Sequence, residues 1–449
     1  MLDERIHIWE KEGGKGKYVL YRMQASVRYN HNLALNYAVE EANKRDLPLK
    51  ILFTLHSGFP DANYRHYLFL CQGLFDFAAK AIHLGYDLIV ETDPDDDRIR
   101  HYLHHADLVI LDKGYLRIQR QWADFIMQYS PATVVMIEDN LLVPVSACTD
   151  KQEWAARTIR PKIMKHYLYF LSDMVFDRPA PLNQHLFSAF TFAKIEDKLN
   201  YFLQKLTPGT MPLLNRRGGE EEALKCWSLF LNEKFLHYAS DRNDPSLHAT
   251  SGISPYLHFG QISPSGMLRA MYDFLQDRAD AHLYEESRDV LIEQLIVRRE
   301  LAHNYVWFNP DYDHYNGLPQ WCRDTLGSHQ RDEREYLYSP DELESAQTHD
   351  PYWNRAMAEM IQTGSMENTM RMYWGKKILE WSPSPEEAYY TALRLNNKYF
   401  LDGRDANSYV GVGWCFGLHD RPWTARPVFG MIRYMNAAGL ERKYKIKEY

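Results

Sequence analysis

Short apolar runs alternate with amphipathic stretches over the first 145 residues. YVLYRM (18–23), LPLKILFTL (47–55), DLIVET (87–92), ADLVILDK (106–113) and TVVMIED (133–139) are aliphatic and β-branched. Such runs read as strands buried on both faces. Between the first two, NLALNYAVEEANK (32–44) places Leu33, Tyr37 and Ala38 at a helical period, and Tyr67–His83 does the same before the third. Strand–helix alternation predicts parallel pairing with right-handed crossovers. The expectation is a Rossmann-like α/β domain over 1–176 with a five-stranded parallel sheet.

The pattern changes twice further on. Residues 177–219 include DRPAPLNQHLF and LTPGTMPLLNRRGGEE, rich in Pro, Gly and polar residues, around one helical stretch at 194–205. This reads as a linker. From 220 to 449 the strand pattern gives way to helical periods at 221–237, 264–278, 283–304, 352–363, 367–381, 384–400 and 426–438. The second half is therefore expected to be all-α.

Composition narrows the class. A 449-residue chain with 25% charged and 45% hydrophobic residues can bury a large core without staples. The five cysteines, Cys71, Cys148, Cys226, Cys322 and Cys415, are dispersed and odd in number. They suggest a reduced, cytoplasmic chain with neither disulfide framework nor zinc site. No apolar run reaches membrane-spanning or signal-peptide length. The net charge of −8 argues mildly against nucleic acid, yet residues 421–449 carry seven basic and two acidic side chains. An acidic chain can still present a basic face.

Candidate chemistry is unevenly placed. No GxGxxG follows a strand, and GGKGK (13–17) precedes one and lacks the hydroxyl of a Walker motif, so the first domain shows no dinucleotide or nucleotide fingerprint. His101, His104 and His105 share a helical face without a carboxylate or cysteine partner and read as a solvated face, with no metal site expected. In the second half, Thr250, Ser251, Gly252, Ile253 and Ser254 precede Pro255 at a helix start, where exposed N–H groups suit a diphosphate; the same string also reads as an ordinary capped loop. Trp374 and Trp381 lie seven apart on one helix, and Trp353 sits on the helix before; core packing and an electron relay both fit. Residues 395–436 crowd Asn396, Asn397, Asp402, Asp405, Trp414, Trp423 and several arginines into what reads as long loops. Aromatic rings interleaved with cations suit unstacked bases and phosphates.

YVLYRMQAS with NHNLAL, GYLRIQRQW (114–122), ARTIRPKI (156–163), YASDRNDPS with SPYLHFGQISP, IVRREL (296–301), MRMYWGKKILEW (370–381), and LDGRDAN through HDRPW to RPVFGMIRYMN together resemble the class II cyclobutane-pyrimidine-dimer photolyases. The resemblance runs from residue 18 to the C-terminus. It implies an α/β antenna domain, a linker and an all-α domain binding FAD, with light-driven electron transfer to a dimer flipped out of UV-damaged DNA. It implies FAD contacts at Tyr238, Thr250, Ser251, Gly252, Ile253, Ser254, Arg298, Asp402 and Asp405, with Asn396 at flavin N5. Trp374, Trp353 and Trp381 would form the relay. Gln294, Met372, Trp414, Asp420, Arg421, Trp423 and Arg433 would meet lesion and DNA. An 8-hydroxy-5-deazaflavin antenna and a monomeric state are also implied. A cryptochrome-like photoreceptor of the same fold is the alternative.

Two positions depart from the pattern. Photolyases usually carry Glu where this chain has Gln294, and G-aromatic-M-H-N where it reads Gly364, Ser365, Met366, Glu367 and Asn368. Both departures are expected to border the lesion pocket, with Glu367 a candidate to replace the missing carboxylate.

Overall fold

The computed structural model describes residues 3–13, 16–172, 179–183, 192–206, 216–444 and 446. Six strands form one sheet: β1 (Ile6–Trp9), β2 (Tyr18–Arg22), β3 (Leu49–Leu55), β4 (Asp87–Thr92), β5 (Ala106–Asp112) and β6 (Thr133–Ile137), in the order β1-β6-β5-β2-β3-β4. The five expected strands pair parallel. The sheet is nevertheless mixed and six-stranded, because β1 adds antiparallel to β6 with Ile6 opposite Ile137 and Trp9 opposite Val134. IHIW is short, flanked by charges and exposed at Ile8 and Trp9, so it carries little strand signal of its own. Its pairing is decided by the distant β6 edge and by Arg5, whose buried guanidinium donates to the carbonyls of Glu138, Leu141 and Leu142.

Val19, Tyr21, Ile51, Phe53, Leu88 and Ile110 pack one sheet face against helices Leu33–Arg45 and Tyr64–His83. The expected linker lies partly outside the described residues. Its helical stretch, Phe192–Lys205, buries Ile195, Leu199, Phe202 and Leu203 on that same core. Gly14 and Lys15 of GGKGK also fall outside the described residues. His101 and His104 sit exposed on helix Asp96–His104, and no group of three His, Cys, Asp or Glu side chains among the described residues could hold a metal. No described helix is long and apolar enough to cross a membrane.

From Glu220 onward the described residues contain no named strand. Two readings of this half change. The expected helix at 426–438 is a turn closed by an Arg426–Gly430 bridge, and only Ala437–Lys443 is helical. Pro427 and Gly430, the latter at φ 52°, break the period there. The loop expected around 395–436 contains a helix, Ala406–Cys415, whose two glycines, Gly411 and Gly413, had masked it; Asp405 caps it through Ala406 N–H at 2.7 Å. The two halves are clasped by Glu220, which accepts from the N–H groups of Tyr29 and Asn30 and from Lys80.

Candidate functional site

The helical half encloses a cavity of about 860 Å³. Gln294, Arg298, Met372, Trp414, Asp420 and Arg433 all line it. They arrive from four places in the chain. Gln294 and Arg298 sit on a π-helical turn, Glu293–Arg298, continuous with helices Glu285–Ile292 and Arg299–Phe308. Such turns recur at functional sites because the extra residue re-aims side chains. Glu293 receives Arg160 through two bonds of 2.8 Å and Arg298 Nε at 2.9 Å, which fixes the turn. Arg298, expected at the cofactor, stands over the Trp414 ring at 5.8 Å.

Met372 comes from helix Asn368–Trp381 and Trp414 from Ala406–Cys415. Between them Lys376, buried in the cavity wall, donates to the Cys415 carbonyl at 2.6 Å. Burial depresses its pKa to about 8, with Asp420 and Arg433 nearby acting in opposite senses. At the rim Trp423 is exposed between the guanidiniums of Arg421 and Arg433, each 5.2 Å from its ring, and its indole N–H donates to Asp420 at 3.3 Å. This is a cationic, aromatic edge facing solvent.

The three tryptophans lie behind the cavity wall, all within 2% of full burial. Asp350 caps helix Pro351–Thr363 by accepting from Tyr352 and Trp353 N–H, and so sets Trp353 in register. Trp353 donates its indole N–H to the Trp374 carbonyl at 3.0 Å, and its ring centroid is 5.7 Å from that of Trp381. Trp374 meets Phe400 at 6.4 Å, and Arg371, in the cavity wall, lies over that same Phe400 ring at 3.7 Å. At the far end Trp381 contacts Tyr338 and His349, and the 38%-exposed Tyr336 stacks on His349 at 3.7 Å. The rings thus run from the cavity wall to the surface.

Other expected residues are placed apart from these. Asn396 is buried and donates to Asn397 at 3.1 Å. Asp402 pairs with Arg371 at 3.2 Å. Asp405 faces a smaller cavity shared with Lys113, Arg299 and His303. Tyr238 is buried beneath Arg242. Thr250 and Ser251 lead into Gly252, at φ 67°, then Ile253 and the five-residue helix Ser254–His258. Glu367 does not line the large cavity as expected; its carboxylate meets Thr250 and His248. Arg371, Lys376 and Arg242 were missed. Arg371 and Lys376 were signalled by cations inside the otherwise apolar MRMYWGKKIL, and Arg242 only by its place in YASDRNDPS; tertiary packing assigns all three to one wall.

A second cavity, of about 110 Å³, opens at the carboxyl ends of the strands. Arg22 ends β2 and Gln24 follows it, His56 follows β3, and Gln119 and Trp122 lie on the helix after β5, Arg117–Tyr129; His258, Phe259 and Arg404 of the helical half close it. The β2–β5 junction is where strand order reverses, the place at which open α/β sheets take ligands. His56 stacks on Trp122 at 5.0 Å and Arg22 stands 5.5 Å over the same ring.

A family model for DNA photolyase matches residues 19–181. A deoxyribodipyrimidine photo-lyase of Methanothermobacter thermautotrophicus is 44% identical over 437 residues, covering 97% of this chain and 94% of its own. That of rice is 36% identical over 99% of this chain and 89% of its own. Among solved structures, an Agrobacterium tumefaciens class III photolyase superposes with TM-score 0.69 at 18% identity, over 93% of this chain and 83% of its own. A Synechocystis cryptochrome does so with TM-score 0.70 at 14% identity, over 98% and 89%.

Proposed function

The chain belongs to the DNA photolyase family, and from that premise we propose that it is a class II enzyme repairing cyclobutane pyrimidine dimers in UV-damaged DNA. The observation that carries the reading is the large cavity whose wall holds Gln294, Met372 and Trp414 beneath a rim of Arg421, Trp423 and Arg433. A dimer of adjacent bases flipped out of one strand of a duplex needs an apolar, aromatic pocket, and the strand it leaves needs cations and a ring to fill the gap.

FAD fits the residues present. Buried Arg242 Nε and Arg216 Nη1 have no partner among the described residues, and Arg216 lies beside Gly252 in the Thr250–Ser254 loop. An anionic diphosphate satisfies such donors. Tyr238, the 250–254 loop and Arg242 would hold the phosphates and ribityl chain, with Arg371–Asp402 and Asn396 toward the ring. Reduced FAD supplies the light-driven electron that opens the cyclobutane ring. The protein does the rest. Trp374, Trp353 and Trp381 carry electrons inward from the surface rings. Gln294 donates an amide N–H to a dimer carbonyl, while Met372 and Trp414 exclude water from it. Arg421 and Arg433 bind phosphates, and Trp423 stacks where the dimer has left. The aromatic slot at the sheet edge suits a flat antenna, for which 8-hydroxy-5-deazaflavin is the candidate.

The test is repair of a dimer-bearing oligonucleotide by the chemically reduced flavoprotein under blue light. Restored oligonucleotide supports the reading. A flavin that photoreduces in blue light but restores no oligonucleotide once reduced would make the protein a cryptochrome-like receptor.

A further inference from the structure

Glu367 stands at the N-cap of helix Asn368–Trp381, yet its side chain caps nothing. Its carboxylate turns instead to the neighbouring loop, 3.3 and 3.5 Å from Thr250 Oγ1 and 3.4 Å from His248 Nδ1, with 12% of the side chain exposed. A threonine hydroxyl has one proton. While Thr250 donates it to Glu367, it has only lone pairs to offer another group. A phosphate approaching this loop therefore meets a carboxylate where it needs a donor.

Of the titratable groups facing Glu367, His248 is the nearest, at 3.4 Å, and answers its charge only when the imidazole is protonated. Lys234, just after helix Glu220–Glu233, is committed to the carbonyls of His248 at 2.6 Å and Thr250 at 3.5 Å, so it ties down the loop backbone. The Tyr238 phenol is a further titratable neighbour.

We propose that Glu367 is a resident anion of the flavin phosphate loop: it holds the Thr250 hydroxyl when no phosphate is present, and FAD must displace it to bind. The carboxylate thereby weakens flavin retention and makes it exchangeable. This rests on the reading of Thr250–Ser254 as the diphosphate loop. The FAD diphosphate carries its two charges throughout the neutral range, so any change of affinity with pH belongs to the protein. Burial raises the Glu367 pKa above the usual carboxylate range, with His248, Thr250 and Lys234 pulling it partly back. Below that pKa the neutral acid tolerates phosphate; above it the ionised carboxylate repels it. Affinity should fall as pH rises.

The experiment strips flavin from the full-length protein and titrates FAD back by fluorescence quenching from acid to alkaline pH. Wild type is compared with Glu367→Gln and Glu367→Met, both neutral and both near-isosteric. The expected result is that both variants bind FAD about tenfold more tightly at the alkaline end, the size of one nearby like charge in a partly screened site, and lose the pH slope of the wild type. Equal affinity and an equal slope in all three proteins, with FAD binding intact, overturns the proposal and leaves the flavin reading standing. Failure of the wild type to bind FAD at any pH overturns both.

Discussion

Buried charge is handled differently in the two halves. In the sheet half, Glu138 is fully buried and fully answered. Lys113 Nζ lies at 2.8 Å, Tyr115 OH at 2.7 Å and Val145 N–H at 2.7 Å. Burial works against its charge, but His7, Lys113 and Val145 outweigh it and hold its pKa at about 2. In the helical half, Lys376 is as deeply buried and has a single carbonyl. A charge with every bond made belongs to the scaffold. A charge left short of partners beside a cavity marks where a ligand must complete it.

The largest effect should come from exchanging one ring on each side of this divide. Trp374→Phe should keep flavin bound but reduce its blue-light photoreduction to background, followed by flavin absorbance, because the next ring inward from Trp353 is gone. Chemically reduced Trp374→Phe should still repair. Trp122→Ala, at the sheet-edge slot, should leave photoreduction intact and remove only sensitisation at antenna wavelengths. Equal losses in both variants would erase the functional difference between the cavities.

The contrast in buried charge predicts opposite stability changes, each about 3 kcal/mol for a shift of this size. Glu138 has a depressed acid pKa, so its contribution is complete above 4.5 and is lost as pH falls toward about 2. Glu138→Gln should therefore lower the thermal midpoint at neutral pH and converge with wild type in acid. Lys376 is a base with a depressed pKa, so it costs stability below about 8, and the cost fades as pH rises toward 10.5. Lys376→Met should raise the midpoint at pH 7 and lose that advantage in alkali. Thermal melts across pH read both.

Smaller effects belong to the rim and pocket. Arg433→Ala should weaken dimer-DNA binding about fivefold at low salt and reduce the log–log salt slope by about one; an unchanged slope would remove Arg433 from the phosphates. Smallest is Gln294→Glu. A charge-assisted or acidic partner can bond the dimer about twice as strongly as a neutral amide, so repair per absorbed photon should rise modestly with lesion affinity unchanged.

How much was legible follows from what each element depends on. Strands β2 to β6 declared themselves because both faces are buried and the middle of each run is aliphatic or aromatic. β1 did not, since its partner lies 125 or more residues away and half its side chains face solvent. Helical spacing put Trp374 and Trp381 on one face, and Trp353 joined them through the family resemblance; the contacts of Trp381 with Tyr338 and His349, and of His349 with Tyr336, needed tertiary structure to appear. Helix Ala406–Cys415 was hidden by Gly411 and Gly413, which lower helix propensity while leaving room for close packing: a Cβ at Gly413 would sit 2.7 Å from Leu418. The π-helical turn at Glu293–Arg298 leaves no mark on sequence periodicity at all. Glu367 was expected beside the lesion pocket, but a helix N-cap side chain can turn either way, and here it turns to Thr250.

The slot at the sheet edge is walled by residues of β2, β3 and helix Arg117–Tyr129 on one side and by His258, Phe259 and Arg404 on the other. It exists only while the halves are docked. A molecule bound there acts as glue, stabilising the docked form by RT ln(1 + [L]/Kd). Its occupancy should raise the melting temperature and slow proteolysis at the seam, so heat resistance would report antenna loading without any light being shone.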